Sequence, residues 1–145
     1  MTTLNEVVLQ LVDEIQTAST ARRVSGDGLR KLNSSVRKLV SDSLSVYSKS
    51  STLHSYASVH KNSNHYTTSR YRKNSSYRIH VGRAYEGLIR LGYIKEMKRG
   101  YFDGFGGFLT RYRATAKLRM LFAAHDVRIL PVLMSVDPPD ELIQL

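Results

Sequence analysis

The sequence predicts an α+β domain, mostly helical, and three observations carry that expectation. Apolar residues recur at helical spacing over three long stretches. The period switches to strand-like alternation after Gly92, and a glycine-rich turn then separates two short strand-like runs. At 145 residues the chain fits one domain and can bury a substantial core. No internal repeat is evident.

The first helix is expected over about 4–18. Thr3 and Glu6 stand as a capping box, and Leu4, Val7, Val8, Leu11 and Ile15 repeat on one face. Ser25-Gly26-Asp27-Gly28 reads as a turn cluster. A second helix follows over roughly 28–47, with Leu29, Leu32, Val36, Leu39, Val40 and Tyr47 on its apolar face. Arg30, Lys31, Arg37 and Lys38 occupy the other face and read as solvated surface. The serine-rich stretch 41–76 has the composition of a loop, but Tyr56, Tyr66 and Tyr71 argue for an ordered connection with a short strand near 56–60.

Ser75-Ser76 opens a third helix over about 76–91, which Gly92 ends as its C-terminal cap. Val81, Ala84, Tyr85, Leu88 and Leu91 form its apolar stripe, and Ser75, Arg78, Ile79, Arg83, Glu86 and Arg90 the opposite one. Residues 93–101 and 108–113 read as two strands joined by Phe102-Asp103-Gly104-Phe105-Gly106-Gly107. Thr115 caps a last helix over about 116–124, with Leu118, Leu121 and Phe122 turned inward. Pro131, Pro138 and Pro139 forbid a long helix in the tail. The single domain therefore divides into N-terminal helices (about 3–50), a core with its hairpin (about 55–124) and an extension (125–145).

Charge narrows the class of partner. Twenty-two Lys and Arg against twelve Asp and Glu give +10 and a pI near 10. Residues 1–60 carry seven bases and five acids, residues 61–113 twelve bases and three acids, and residues 114–145 three bases and four acids. The excess lies in the middle, so a polyanion should dock there: nucleic acid first, an anionic membrane surface second. The absence of cysteine excludes disulfides and thiolate metal sites. The N-terminus is not a signal peptide, no apolar run is long enough to span a membrane, and a cytoplasmic address is expected.

Catalytic readings find little to stand on. The glycines at 104, 106 and 107 lack the Lys-Ser/Thr of a phosphate loop. The carboxylates are too few and scattered for a two-metal nuclease site, and the histidines lack the spacing of a metal site. The expectation is no enzyme activity, no cofactor, no metal and no small-molecule substrate.

A helix, a cap glycine and a glycine-tipped hairpin, in that order, are the parts of a winged helix-turn-helix, whose helix enters the major groove while the hairpin lies on flanking backbone. The residues suit double-stranded DNA. Arg can grip guanine and Asn adenine in bidentate fashion, while Lys, Ser and helix N-terminal amides hold phosphates. Lys61, Asn62, Asn64, His65, Arg70, Arg72, Lys73, Asn74, Ser75, Ser76 and Tyr77 precede the helix or open it. Arg78 and Arg83 stand on its outer face, and Arg99, Arg111 and Arg113 on the hairpin. These cations are expected to converge on one surface. Arg90 reads equally as a partner of the helix dipole, and Lys95 and Lys98 as ordinary solvent positions. Tyr71, Tyr77 and Tyr85 read as core or platform residues more readily than as base-stacking ones.

Within residues 55–124, the segments HKNSNHY, SRYRKNSSYR, LGYI and TRYRATAKL, with the glycine-rich turn, carry a resemblance. The chain resembles the N-terminal origin-binding domain of RepA-like replication initiators from phage-parasitic satellite islands of the PLE type, a domain shared with a phage origin-directed nuclease. The resemblance implies sequence-specific binding to repeated origin sites, often as a dimer, and association with nucleoid, phage or satellite DNA. It implies Asn62, Asn64, Arg70, Arg72, Ser75, Ser76, Tyr77, Arg78, Arg83, Arg111 and Arg113 as contacts. Proteins of that kind are longer, so the chain is expected to be a piece of a larger one. A winged-helix transcriptional repressor, the targeting domain of the nuclease and a tyrosine-rich single-strand RNA binder are the other readings. Apolar faces on the first two helices larger than a small core requires suggest a homodimer through residues 1–50.

Overall fold

The computed structural model describes residues 3–20, 22–49, 54–57, 78–102, 107–108 and 110–127. Its architecture is α+β and mostly helical. Helix α1 (Leu4–Ala18) begins where Thr3 Oγ1 accepts a hydrogen bond from the Glu6 amide at 3.3 Å, as an N-cap should. Its inward face buries Val7, Val8, Leu11, Val12 and Ile15. Gln16 is buried with them, and its Oε1 accepts from the Val24 amide at 2.7 Å, which settles its polarity inside the core.

Helix α2 (Gly26–Lys49) starts earlier and ends later than its sequence pattern suggests. The cluster Ser25-Gly26-Asp27-Gly28 is not a free turn: Leu29 N already donates to Ser25 O, and Gly26 takes the left-handed φ of +57° that a glycine tolerates. Asp27 in the first turn binds Arg30 and lies 3.1 Å from Lys31 Nζ, and these cations hold its carboxyl below the usual range. Ser35 and Ser43 bond back to Lys31 O and Val40 O, so their hydroxyls are satisfied within the helix.

Strand β1 (Ser55–Ala57) falls at the near edge of the expected 56–60. Helix α3 (Arg78–Arg90) follows, then strands β2 (Ile94–Lys98), β3 (Tyr101–Phe102), β4 (Gly107–Phe108) and β5 (Thr110–Ala114), and helix α4 (Ala116–Ala124). The expected Ser75-Ser76 cap, the hairpin tip at 103–106 and the tail beyond 127 lie outside the described residues. β1, β5 and β2 form one antiparallel sheet in that order, with β5 central, and β3 pairs with β4.

Helices and sheet share one core, and Tyr112 on β5 ties its parts together. It is fully buried, donates to Leu39 O of α2 at 2.9 Å, and meets the Tyr85 ring edge-on at 5.9 Å. Val81, Ala84, Tyr85 and Leu88 fill the core side of α3, while Leu91 is only half-buried. The apolar faces of α1 and α2 are spent inside the chain, with Leu11, Leu32, Val36 and Leu39 fully buried. These are residues whose number suggested a homodimer, and on the outer side of α1 Leu9 is exposed. One close approach has no sequence signal: a Cβ on Gly87 would lie 2.6 Å from Ile15 Cγ2, so α3 reaches its depth against α1 only with glycine there. No described helix is long and apolar enough to cross a membrane.

Candidate nucleic-acid interface

The junction from α3 into β2 is tightly specified. Gly92, at φ +83°, closes a Schellman turn in which Tyr93 N donates to Leu88 O at 2.9 Å and Gly92 N to Ile89 O at 3.0 Å. The Thr115 hydroxyl, besides capping α4, lies within donating distance of Gly92 O (2.6 Å) and Tyr93 O (3.0 Å). Lys117 Nζ donates to Leu91 O at 2.6 Å and sits 4.4 Å from the centre of the Tyr93 ring. Tyr93 in turn donates to Glu14 of α1 at 2.8 Å; burial and that bond push its hydroxyl up to about 12. The helix end and the root of the hairpin are thus fixed to α1 and α4 together.

Beyond that root, β2 and β5 run in register from Ile94–Ala114 through Lys95–Arg113 to Glu96–Tyr112. Strict alternation would then turn Lys98 to the core side with Ile94 and Glu96. A bulge between Glu96 and Lys98 inserts one residue, and Lys98 pairs with Arg111 instead. Directly opposed residues share a face, so Lys95 and Arg113, then Lys98 and Arg111, stand side by side on the outer face of the sheet. On β5 the inward positions Thr110, Tyr112 and Ala114 are buried, and the arginines between them are half-exposed. Among the described residues Lys95 and Arg113 form no ion pair. Like charges placed opposite one another destabilise a sheet, so this face carries an electrostatic cost that an anionic partner would remove.

Arg99 behaves differently. The bulge returns it to the inner side, where its Nη1 lies 3.0 Å from Glu86 of α3 and 3.1 Å from Glu96, and its guanidinium sits 5.7 Å from the Tyr85 ring centre. Burial alone would lower its pKa, but the two carboxylates outweigh that and raise it. Tyr85 donates to the same Glu96 at 2.7 Å; its burial and that bond drive its own pKa far upward. Sequence reasoning set Arg99 beside Arg111 and Arg113 as a contact. The structure makes it the tie between α3 and the hairpin.

On the outer side of α3, Glu86 and Arg90 are exposed and Arg83 is half-buried. Arg83 Nε and Nη2 are shielded from solvent and meet no hydrogen-bond acceptor among the described residues. His80 Nδ1 is likewise buried without a partner, and burial first, then Lys31 and Arg83, lower its pKa. The described cations therefore do not form one uniform patch. They divide into the outer sheet face and the α3 stripe, with Arg99 neutralised between them. Arg78 begins α3, whereas Lys61, Asn62, Asn64, His65, Arg70, Arg72, Lys73, Asn74, Ser75, Ser76 and Tyr77 lie outside the described residues. Sequence reasoning left Lys95 and Lys98 open between surface and contact. The cross-strand pairing that raises their standing depends on the bulge, which no residue type announces.

Among the described residues no three His, Asp or Glu side chains gather as a metal site would need. No protein-family model, curated protein or solved structure matches this chain.

Proposed function

We infer that the chain binds duplex DNA in the manner of a winged helix, α3 entering the major groove and the β2–β5 hairpin lying on the flanking backbone. The strand order supports this reading: the strand before α3 joins the sheet beside the returning arm of the hairpin, so helix and hairpin project from one rigid root. The observation that carries it is the pair of cross-strand cation couples, Lys95 with Arg113 and Lys98 with Arg111. Cations paired across strands on one sheet face suit a row of phosphates, and Lys95 and Arg113 form no ion pair among the described residues. Arg83 and Arg90 of the α3 stripe and the basic segment 61–77 belong to the same strongly basic middle third of the sequence.

The specific role we propose is recognition of repeated sites in a replication origin by the N-terminal domain of an initiator, as the resemblance over residues 55–124 implies. Selection of bound sites from a random duplex library tests it. Enrichment of one short motif, iterated within an origin, is the expected result. A preference for single strands or for anionic vesicles over duplex would overturn it.

A further inference from the structure

The solvent side of α3 sets one acid among its cations. Val81, Ala84, Tyr85 and Leu88 are buried and turn to the core. At 3.6 residues per turn, the positions opposite that stripe are 79, 83, 86 and 90. Glu86 and Arg90 are exposed there. Residues 61–113 hold three acids, Glu86, Glu96 and Asp103. Glu96 is bonded to Tyr85 and Arg99 on the inner side, and Asp103 lies outside the described residues. Among the described residues, Glu86 is therefore the acid that a helix entering a groove must bring to the DNA. A carboxylate near phosphates costs affinity for every sequence, unless an acceptor is needed at that point.

Its surroundings hold Glu86 ready as an acceptor. Its Oε1 accepts from Arg99 Nη1 at 3.0 Å, which fixes one oxygen and sets a positive charge beside the carboxylate. Its Oε2 has no partner among the described residues, and the side chain is still 55% exposed. One turn earlier, an added Cβ on Gly82 would meet nothing within 4 Å among the described residues. Glycine weakens a helix, and the missing side chain lets the backbone come close to whatever the helix faces.

Base edges in the major groove differ in what they offer a carboxylate, which can only accept. Guanine and thymine present acceptors, adenine sets its amine beside the acceptor N7, and cytosine presents its N4 amine alone. Resting on the duplex reading above, we propose that Glu86 is a specificity residue: its Oε2 accepts from the N4 amine of one cytosine, and Arg99 positions it. The carboxylate repels the backbone at every site, and only a C·G pair at the right place offsets that repulsion.

Selection of sites from a random duplex library, run with the wild-type chain, Glu86→Gln and Glu86→Ala, tests this. The wild type should enrich a motif with one fixed C·G pair. Both variants should lose the preference at that pair and keep the rest of the motif. Exchanging the pair for T·A should weaken wild-type binding roughly five- to a hundredfold, and binding by the variants less than about twofold. Arg99→Ala, which releases Glu86 without removing it, should weaken the preference at the same pair and at no other. An unaltered motif in both Glu86 variants overturns the assignment and leaves the duplex reading standing, since Glu86 then only holds Arg99 or repels phosphate. A preference lost evenly at all positions overturns it too, because the whole helix has then shifted. If the wild type enriches no duplex, the duplex reading falls and the role of Glu86 falls with it.

Discussion

The two faces of the β2–β5 ribbon carry the same kinds of charged residue and use them in opposite ways. On the inner side Arg99, itself half-exposed, lies against Glu86, Glu96 and the Tyr85 ring, so its charge is answered by carboxylates of the fold. On the outer face Lys95 opposes Arg113, and among the described residues no carboxylate pairs with either. One ribbon thus separates a face that holds the molecule together from a face that costs it stability. A fold tolerates the second arrangement readily when an anionic partner is the thing being bound. The bulge after Glu96 performs the separation, sending Lys98 outward and Arg99 inward from adjacent positions.

The largest effects should come from the inner side. Tyr112→Ala removes a buried ring and its bond to Leu39 O, and should cost about 3–5 kcal/mol in chemical denaturation. A cost below about 1 kcal/mol would mean that the ribbon is not seated on α2 as described. The depth of α3 comes next. Gly87→Ala should destabilise by about 1–3 kcal/mol despite the better helix propensity of alanine, because Ile15 is only 2% exposed and has little room to yield. Gly82, where an added Cβ meets nothing within 4 Å, provides the control, and Gly82→Ala should be neutral or gain up to about 1 kcal/mol.

Smaller effects separate the two faces more sharply. Arg113→Gln should stabilise the free protein by about 0.2–1 kcal/mol at low salt, a gain that added salt removes. Arg99→Ala should cost no more than about 1 kcal/mol, since its ion pairs are half-exposed, and that loss should also shrink with salt. Opposite signs for the two arginines would support the division of faces, and equal signs would remove it.

Titration offers a weaker readout of the same interior. Tyr93 rises from 10.0 to about 12 on folding, and Tyr85 rises as well. Their contribution is complete below pH 10 and is lost as pH climbs toward 12 and beyond. Tyr93→Phe should flatten the first part of that decline. His80 shifts the other way, below the 6.5 of a free imidazole, so its contribution is present above pH 6.5 and is lost as pH falls through the lower folded value. His80→Gln should remove the step just below 6.5 and leave the more acidic step, to which Asp27 contributes, in place.

Local chemistry made much of the fold legible. Thr3 and Thr115 marked the starts of α1 and α4, and Gly92 marked the end of α3, because caps and left-handed turns are decided within a few residues. The apolar stripe Val81, Ala84, Tyr85, Leu88 is buried as helical spacing requires, with Leu91 left half-buried at the end. At the N-terminus of α2, Gly26 and Gly28 signal a turn by residue type, whereas Asp27 and its two cations continue the helix through them. The outer-face pairing was hidden for a different reason. Lys95-Glu96-Met97-Lys98 holds one apolar residue, Met97, which is exposed, so no alternation in the segment reveals the one-residue bulge. The need for glycine at Gly87 is a product of the α1–α3 approach and leaves no local trace. Of the residues named as contacts from sequence, Arg111 and Arg113 stand on the outer face, Arg83 is half-buried on α3 and Arg99 is tied to Glu86 of α3.

Whether the outer ribbon face holds phosphates is read by the salt dependence of duplex affinity. Each phosphate contact contributes about 0.9 to the slope of log affinity against log salt. Replacing Lys95 and Arg113 together with glutamine should make that slope shallower by about 2 while leaving the fold at least as stable. An unchanged slope, with wild-type affinity, would mean that the outer ribbon face does not contact phosphates.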